Sequence, residues 1–467
     1  AASKSLNSSN TLLSNMILID REKETGWLKE AYSRRNAELG VIYGRRRLGK
    51  TFLIKTFVAD KPHFYFLAKQ QDMGLELGRF KDKIGKKFNV FLEAKDLEGL
   101  FEEIKTKIAA NHKKLIVVID EFPYWVNKEQ AIPSEFQSIW DEILKDSNVM
   151  LVLLGSYISV MEQKVIGYKS PLYGRRTFQI LLQKLPIRCL KEFFPRYTEE
   201  ELIKMYGCAD TIPYYLALLE KNKSFKDNLM GFFNASSPLY SDAEIILSSE
   251  LREYNTYLNI MKAILDGATR LNEIAAKSKV EVTNILKYLN VLIAMRLIRK
   301  TKPVTDSAKE KNYIYEIEDN YFRFWLKYIY PYKEEIEEFP EKHLQFVMGD
   351  YNAYMGKVFE NFCMDAAPEF FDFTRIGRWW HKEREIDIVA LDEKKQQITF
   401  CECKWQDKAD AAKLIEELKE KANYVEWNRE KRKEQYVVFA KSFKKKIKAE
   451  NVRCIDMKDL AKVFRKS

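Results

Sequence analysis

The first 185 positions alternate between short apolar runs and stretches in which apolar residues recur at helical spacing. Val41-Ile42-Tyr43, His63-Phe64-Tyr65-Phe66-Leu67, Leu115-Ile116-Val117-Val118-Ile119, Val149 through Leu154, and Phe178 through Leu182 are the runs. Unbroken apolar runs of this length predict strands covered on both faces, hence a parallel sheet with helices between its strands. The helical spacing of Leu97, Leu100, Phe101 and Ile104 leads into the third run. A short strand from Ile17 followed by a capped helix reaching Tyr32 is predicted ahead of the first run. Beyond position 250 the pattern changes. Helices are predicted over 254–265, 271–276 and 280–293, then two strands over 297–300 and 313–317. Further on, 385–391 and 397–405 alternate with period two around the charged turn 392–396, which predicts a hairpin.

Two of the apolar runs end in residues suited to phosphate chemistry. The first stops at Gly44, and Gly44-Arg45-Arg46-Arg47-Leu48-Gly49-Lys50-Thr51 follows before helical spacing begins near Lys50 and Phe52. This is G-x-x-x-x-G-K-T, a phosphate-binding loop. Its glycines let the backbone curl so that successive N–H groups face inward at the positive end of the next helix. Lys50 reaches the β- and γ-phosphates of a nucleotide in such a loop, and the Thr51 hydroxyl ligates Mg²⁺. The third run ends in Asp120-Glu121, at the strand terminus where ligands sit in open α/β sheets. Asp120 is the second Mg²⁺ candidate, and Glu121 is the candidate base that orients the attacking water. Ser156, past the fourth run, is a candidate sensor of the γ-phosphate or of that water; a plain helix cap is the alternative. Arg175, in Ser170-Pro171-Leu172-Tyr173-Gly174-Arg175-Arg176, is a candidate for neutralising transferred phosphoryl charge. The alternative is a solvated surface pair with Arg176.

Composition bounds the rest. With 467 residues the chain exceeds one core, and two to four domains are expected. Hydrophobic residues at 46% and charged residues at 31% describe a globular chain, and no apolar run is long enough to cross a bilayer. The net charge of +11 permits nucleic-acid contact. The six cysteines lack redox or zinc spacing, so reduced cytoplasmic thiols are expected, and four isolated histidines argue against a histidine-built metal centre. Residues 1–15, rich in Ser and Asn, are read as a leader or a disordered tail.

The phosphate loop, Asp120-Glu121, Ser156 and Ser-Pro-Leu-Tyr-Gly-Arg together resemble the archaeal and bacterial ATPase family, whose P-loop fold is related to AAA+ and STAND ATPases. Asp20-Arg21-Glu22-x-Glu24 resembles its N-terminal motif. The resemblance implies a P-loop ATPase core over 16–185 binding ATP or ADP with Mg²⁺, and a helical lid over 186–248. The family's Gly-Gly-Ile-Pro element falls where this chain reads Asp210-Thr211-Ile212-Pro213, without the glycine pair.

Three helices and a hairpin over 249–330 predict a winged helix-turn-helix. Asn284, Lys287 and Tyr288 are expected to face outward, with Arg299, Lys300, Lys302, Lys309 and Lys311 on the wing as phosphate contacts. Internal packing is the alternative use, and Glu281 would repel phosphate. The last region, 331–467, offers Glu360 from a predicted helix, Asp387, and Glu402 with Lys404 on one strand face. This series resembles the PD-(D/E)xK nuclease fold, a restriction-endonuclease-like α/β domain. The resemblance implies Mg²⁺ held by Asp387 and Glu402, with Lys404 stabilising hydroxide or leaving-group charge; alternating charge on an exposed strand is the other reading. Basic runs at 429–433 and 441–448 are either solvated faces or backbone contacts. The expectation is therefore a multidomain α/β protein that couples Mg²⁺-dependent ATP hydrolysis to DNA engagement. The other reading is a slow nucleotide-dependent switch or scaffold whose last domain only binds. A cytoplasmic location, no membrane contact and a possible homo-oligomer complete the expectations.

Overall fold

In the computed structural model, which describes residues 19–307 and 309–465, the uninterrupted apolar runs form one parallel sheet. Its strands are β1 (Glu38–Tyr43), β2 (His63–Leu67), β3 (Leu115–Asp120), β4 (Val149–Gly155) and β5 (Phe178–Leu181). Every position of β1, β3 and β4 is buried, which is why these runs carry no polar alternation. The spatial order is β2-β3-β4-β1-β5, with all neighbours parallel. Parallel neighbours put all five carboxyl ends on one edge. β4 lies between β1 and β3, so the residues that follow these three strands emerge side by side, about 4.8 Å apart per strand.

One face of this sheet packs an aromatic core of Phe66, Phe80, Phe101, Trp125 and Phe136. Each such ring contributes roughly 1.5–3 kcal/mol by leaving water. Glu76 is fully buried beneath it and accepts hydrogen bonds from Trp125 Nε1 (2.9 Å), the Lys69 amide (2.9 Å) and Gln71 Nε2 (2.6 Å). The helix Glu22–Ser33 precedes β1, and no side chain caps its start. Part of the strand predicted from Ile17 lies outside the described residues, and Ile19 and Asp20 form a turn instead.

The chain divides into two compact units between Leu185 and Pro186, and the second gathers everything from Pro186 onward. At the place of the absent glycine pair, Asp210 itself takes a positive φ of 54°. Its carboxylate is held by its neighbour's amide, Thr211 N at 2.7 Å, and by Asn320 N at 3.1 Å, which offsets the strain of a side chain in that region. The helices Tyr254–Leu265, Leu271–Ser278 and Val282–Ala294 are followed by an antiparallel pair, β6 (Ile298–Thr301) and β7 (Ile314–Ile317).

One outward-facing expectation fails here. Arg299 turns inward, donating to Glu316 (3.1 Å) and to Asn361 (2.8 Å). Asn284 and Lys287 are exposed, and Tyr288, partly exposed, donates its hydroxyl to Glu253 at the surface (2.7 Å). The reason is electrostatic for Arg299: Glu316 lies directly across the strand pair and draws the guanidinium off the surface.

A 27-residue helix, Pro340–Ala366, leads to a second five-stranded sheet. It comprises β8 (Arg375–His381), β9 (Arg384–Asp392), β10 (Gln397–Lys404), β11 (Lys433–Ala440) and β12 (Val452–Ile455), in the order β12-β11-β10-β9-β8. β9 and β10 form the predicted hairpin, and the helix Ala411–Ala422 crosses over to the parallel strand β11. All six cysteines are free thiols. No helix among the described residues is long and apolar enough to cross a membrane.

Candidate functional site

The phosphate loop sits at the carboxyl edge of the first sheet, between β1 and the helix Lys50–Val58. Its backbone needs its glycines. Gly44 has φ +148°, and a Cβ there would meet the Leu182 carbonyl oxygen at 2.5 Å. Gly49 starts the helix with φ +88°, and no side chain caps that terminus. The first N–H groups of the helix are therefore not bound by a capping side chain, which suits an anion nest. Arg47, between the glycines, also takes a positive φ of 72°. Lys50 is 5% exposed and donates Nζ to the Gly44 carbonyl (2.7 Å) and the Arg45 carbonyl (2.8 Å). The ammonium is thus folded into its own loop, where phosphate oxygens would replace carbonyls.

β3 and β4 bring the carboxylates to this loop. Thr51 Oγ1 donates to Asp120 Oδ2 at 2.7 Å, so the two Mg²⁺ candidates are in contact. Asp120 Oδ1 accepts the Glu121 amide at 2.9 Å. Glu121 leaves the strand with φ 56°, a left-handed conformation that costs a glutamate about 1–2 kcal/mol. Its Oε1 accepts Ser156 Oγ at 2.7 Å, while Oε2 is buried with no hydrogen-bond partner. Ser156 is 6% exposed at the end of β4. Hydroxyl and carboxylate oxygens are hard donors that fit Mg²⁺. Thr51 and Asp120 would hold the ion, which would neutralise phosphate charge.

Arg175 is placed differently. Its guanidinium pairs with Asp141 (2.7 Å) and donates to the Pro171 carbonyl (2.9 Å), and neither partner belongs to the phosphate loop. Arg176 donates to the Ile166 carbonyl at 2.9 Å. Four further residues, none of them given a role from sequence, support the loop and the carboxylates. Tyr65 on β2 donates to Asp120 Oδ2 at 2.6 Å, the same oxygen that Thr51 holds. Arg21, 6% exposed, donates to the Leu48 carbonyl (3.3 Å) and the Gln183 carbonyl (2.7 Å), anchoring the loop to the segment after β5. Tyr157 and Tyr124 bond Arg46 through their hydroxyls at 3.1 and 3.4 Å. The Asp20-Arg21-Glu22 box was a signal for Arg21. Tyr65 had none, because its aromatic run reads as plain core.

The second cluster lies in the other unit. Lys404 Nζ pairs with Glu402 Oε1 at 2.7 Å, and Lys421 Nζ with Glu402 Oε2 at 3.0 Å. Asp387 Oδ2 accepts the Cys403 amide at 2.8 Å. Burial, then repulsion from Glu360 and Glu402, pushes the Asp387 carboxyl up to about 7. Glu360 is bound to Arg378 and, at 3.2 Å, to Lys357. Burial opposes its charge, but these cations hold the carboxyl below its ordinary value. The four candidates therefore feel one another electrostatically, with Glu402 and Glu360 already neutralised by lysine and arginine. Among the described residues no three His, Cys, Asp or Glu side chains are grouped to hold a metal ion.

A parallel sheet with a glycine-framed phosphate loop, a Thr–Asp contact and a carboxylate held by a serine defines a P-loop ATPase fold. Comparison with known proteins gives the family. The model described as an ATPase domain predominantly from Archaea matches residues 18–219, and one of archaeal and bacterial proteins of unknown function matches 325–415. An uncharacterized protein of Methanocaldococcus jannaschii is 37% identical over 420 residues, spanning 88% of this chain and 92% of that one. An uncharacterized ATP-binding protein of the same organism is 39% identical over 46 residues, 10% of this chain and 78% of the other. Among solved structures, the Walker-type ATPase of Pyrococcus abyssi shares the fold, with a TM-score of 0.50 at 22% identity over 66% of this chain and 96% of that one. The chain belongs to the family of the 37% identical Methanocaldococcus jannaschii protein, and its residues 18–219 match the archaeal ATPase domain.

Proposed function

We propose that the protein binds ATP with Mg²⁺ at the phosphate loop and hydrolyses it with Glu121 as general base. The observation that carries this is the Glu121 carboxylate. One oxygen is fixed by Ser156, the other is buried and unpartnered, and the backbone is strained to hold both there. An unpartnered buried carboxylate oxygen is costly unless a water or substrate hydroxyl completes it. In the step, Glu121 takes a proton from water as its oxygen bonds to the γ-phosphorus. The bond to the β,γ-bridging oxygen breaks, and ADP leaves with that electron pair. Lys50, released from its own loop carbonyls, neutralises the charge on the β- and γ-oxygens. The backbone of Gly44 to Phe52 cradles them. Arg175 is assigned to the transition state, after exchanging Asp141 for the phosphoryl group.

The test pairs two variants. Glu121→Gln should keep ATP binding and stop turnover, because the geometry survives while the base is lost; Lys50→Ala should lose both. Wild-type turnover in both variants would remove this site from the reaction.

A finer reading is that nucleotide state governs DNA engagement through the second unit. The three-helix-and-hairpin segment with exposed Asn284 and Lys287 supports contact, as does the Asp387, Glu402, Lys404 cluster on β9 and β10. Exposed Val282 and Leu286 on the same helix favour a protein contact instead, as the switch reading would require. ATPase rate with and without duplex and single-stranded DNA separates them. Stimulation supports DNA coupling, and an unchanged rate with no Mn²⁺-dependent cleavage supports the switch.

A further inference from the structure

Among the described residues of the second unit, Arg323 is a buried arginine without an acid partner. Arg323, on the helix Asn320–Tyr328, is 8% exposed. Its Nη2 donates to the Ile317 carbonyl at 2.6 Å, while Nε is buried with no partner. Among the described residues no carboxylate lies within ion-pair distance of it. Burial first, then the nearby cations Arg299 and Arg378, depress its affinity for the proton, with Tyr354 and Glu316 opposing. Keeping a guanidinium in such a place is costly unless something anionic compensates it.

Arg323 lines a cavity of about 390 Å³, within the range of small-molecule sites. Three other cations line it: Lys262, Lys327 and Lys357. Lys327 is spent on Asp350 at 2.6 Å, and Lys357 on Glu316 at 2.7 Å and Glu360 at 3.2 Å. Among the described residues Lys262 has no carboxylate within ion-pair distance, and its contact is the face of Tyr330, 5.5 Å from the ring centre. The lining carboxylate, Asp266, has Lys277 at 3.8 Å. Two positive charges, Lys262 and Arg323, are thus left uncompensated around one hollow. Leu265, Leu326, Pro331 and Tyr332 supply an apolar wall beside them.

We propose that this cavity is a second ligand site, separate from the phosphate loop, for a small molecule bearing a phosphate monoester. The charge count favours a dianion over a carboxylate, and a phosphate monoester is a dianion above its second pKa of about 6. Arg323 takes the phosphate through its unpartnered face, as guanidinium does wherever planar recognition of phosphate is needed. Lys262 neutralises the second charge, and the apolar wall receives the organic part.

The test is calorimetric titration of the full chain with inorganic phosphate, ribose 5-phosphate and AMP, with acetate as the monoanion control. Each titration is repeated in a Lys50→Ala background so that the phosphate loop does not contribute. One site per chain should persist in that background and weaken roughly tenfold or more on Lys262→Ala or Arg323→Met. It should also weaken as pH falls below about 6. Tighter binding of ribose 5-phosphate or AMP than of phosphate assigns the apolar wall to the organic part; equal binding overturns that part and leaves a bare phosphate site. Lys262→Ala, a half-buried position, keeps the test valid should Arg323→Met not fold. No binding of any phosphate probe, acetate binding as tightly, or affinity unchanged in the folded variants would overturn the proposal.

Discussion

Replacing Tyr65 by Phe isolates one hydrogen bond in the candidate Mg²⁺ site. Asp120 Oδ2 accepts from both Tyr65 Oη (2.6 Å) and Thr51 Oγ1 (2.7 Å), and Oδ1 accepts the Glu121 amide. Once the Thr51 oxygen turns to the cation, Tyr65 is the side-chain donor left to orient that carboxylate oxygen. Burial and then the adjacent Asp120 charge push the phenol well above its ordinary value, so it remains a donor throughout the working pH range. Phe keeps the ring, including its contact with Lys55 Nζ at 4.6 Å from the centroid. A hydrogen bond to a charged group is worth about 1.5–3 kcal/mol, or roughly 10- to 150-fold. Loss of a partner behind a metal ligand lowers metal affinity by about 10- to 100-fold. The half-saturating free Mg²⁺ for phosphate release should therefore rise by roughly 10- to 100-fold in Tyr65→Phe. The rate at saturating Mg²⁺ should stay near wild type, because the base and the loop are untouched. An unchanged Mg²⁺ requirement, or a lower plateau rate with the requirement unchanged, would refute the positioning role.

Arg175→Ala should slow hydrolysis by roughly 10³-fold with little change in ATP affinity, whereas Asp141→Ala should not; a silent Arg175→Ala in steady-state kinetics removes it from the transition state. Glu316→Gln should cost about 3 kcal/mol or more in urea unfolding, because it strips the carboxylate from Arg299, Lys357 and the 7% exposed Arg378. Less than about 1 kcal/mol would show the network to be solvent-screened. For Asp387, the folded carboxyl sits near 7 while the unfolded one sits at its ordinary value of about 3.8. The folded state then holds a proton that the unfolded state has released, so stability falls as pH rises through that window and levels off above it. Thermal melts of Asp387→Asn should lose this slope, and a slope retained in the variant would place the titration elsewhere.

Contiguous features of this protein were readable from sequence. The loop Gly44 to Thr51 works through its own backbone angles, so residue types at fixed spacing specify it wherever a strand precedes and a helix follows. The runs that became β1, β3 and β4 were legible because burial on both faces removes polar residues altogether. The β9–β10 hairpin was legible because its turn is local and its alternation has period two. Tertiary structure alone decided which strand ends became neighbours. The order β2-β3-β4-β1-β5 puts Ser156 against Glu121 and lets Tyr65 reach Asp120, 55 residues away in sequence. Parallel strands are joined by crossovers whose packing fixes their order, and no local pattern encodes that choice. The same distance dependence misled the reading of Arg299, whose second partner, Asn361, is 62 residues away. It also hid Arg323, since a charged residue on a helix reads as solvated until the tertiary fold buries it. Local sequence dictates dihedral angles and periodicity; which charges meet is a property of the pairings that bring distant segments together.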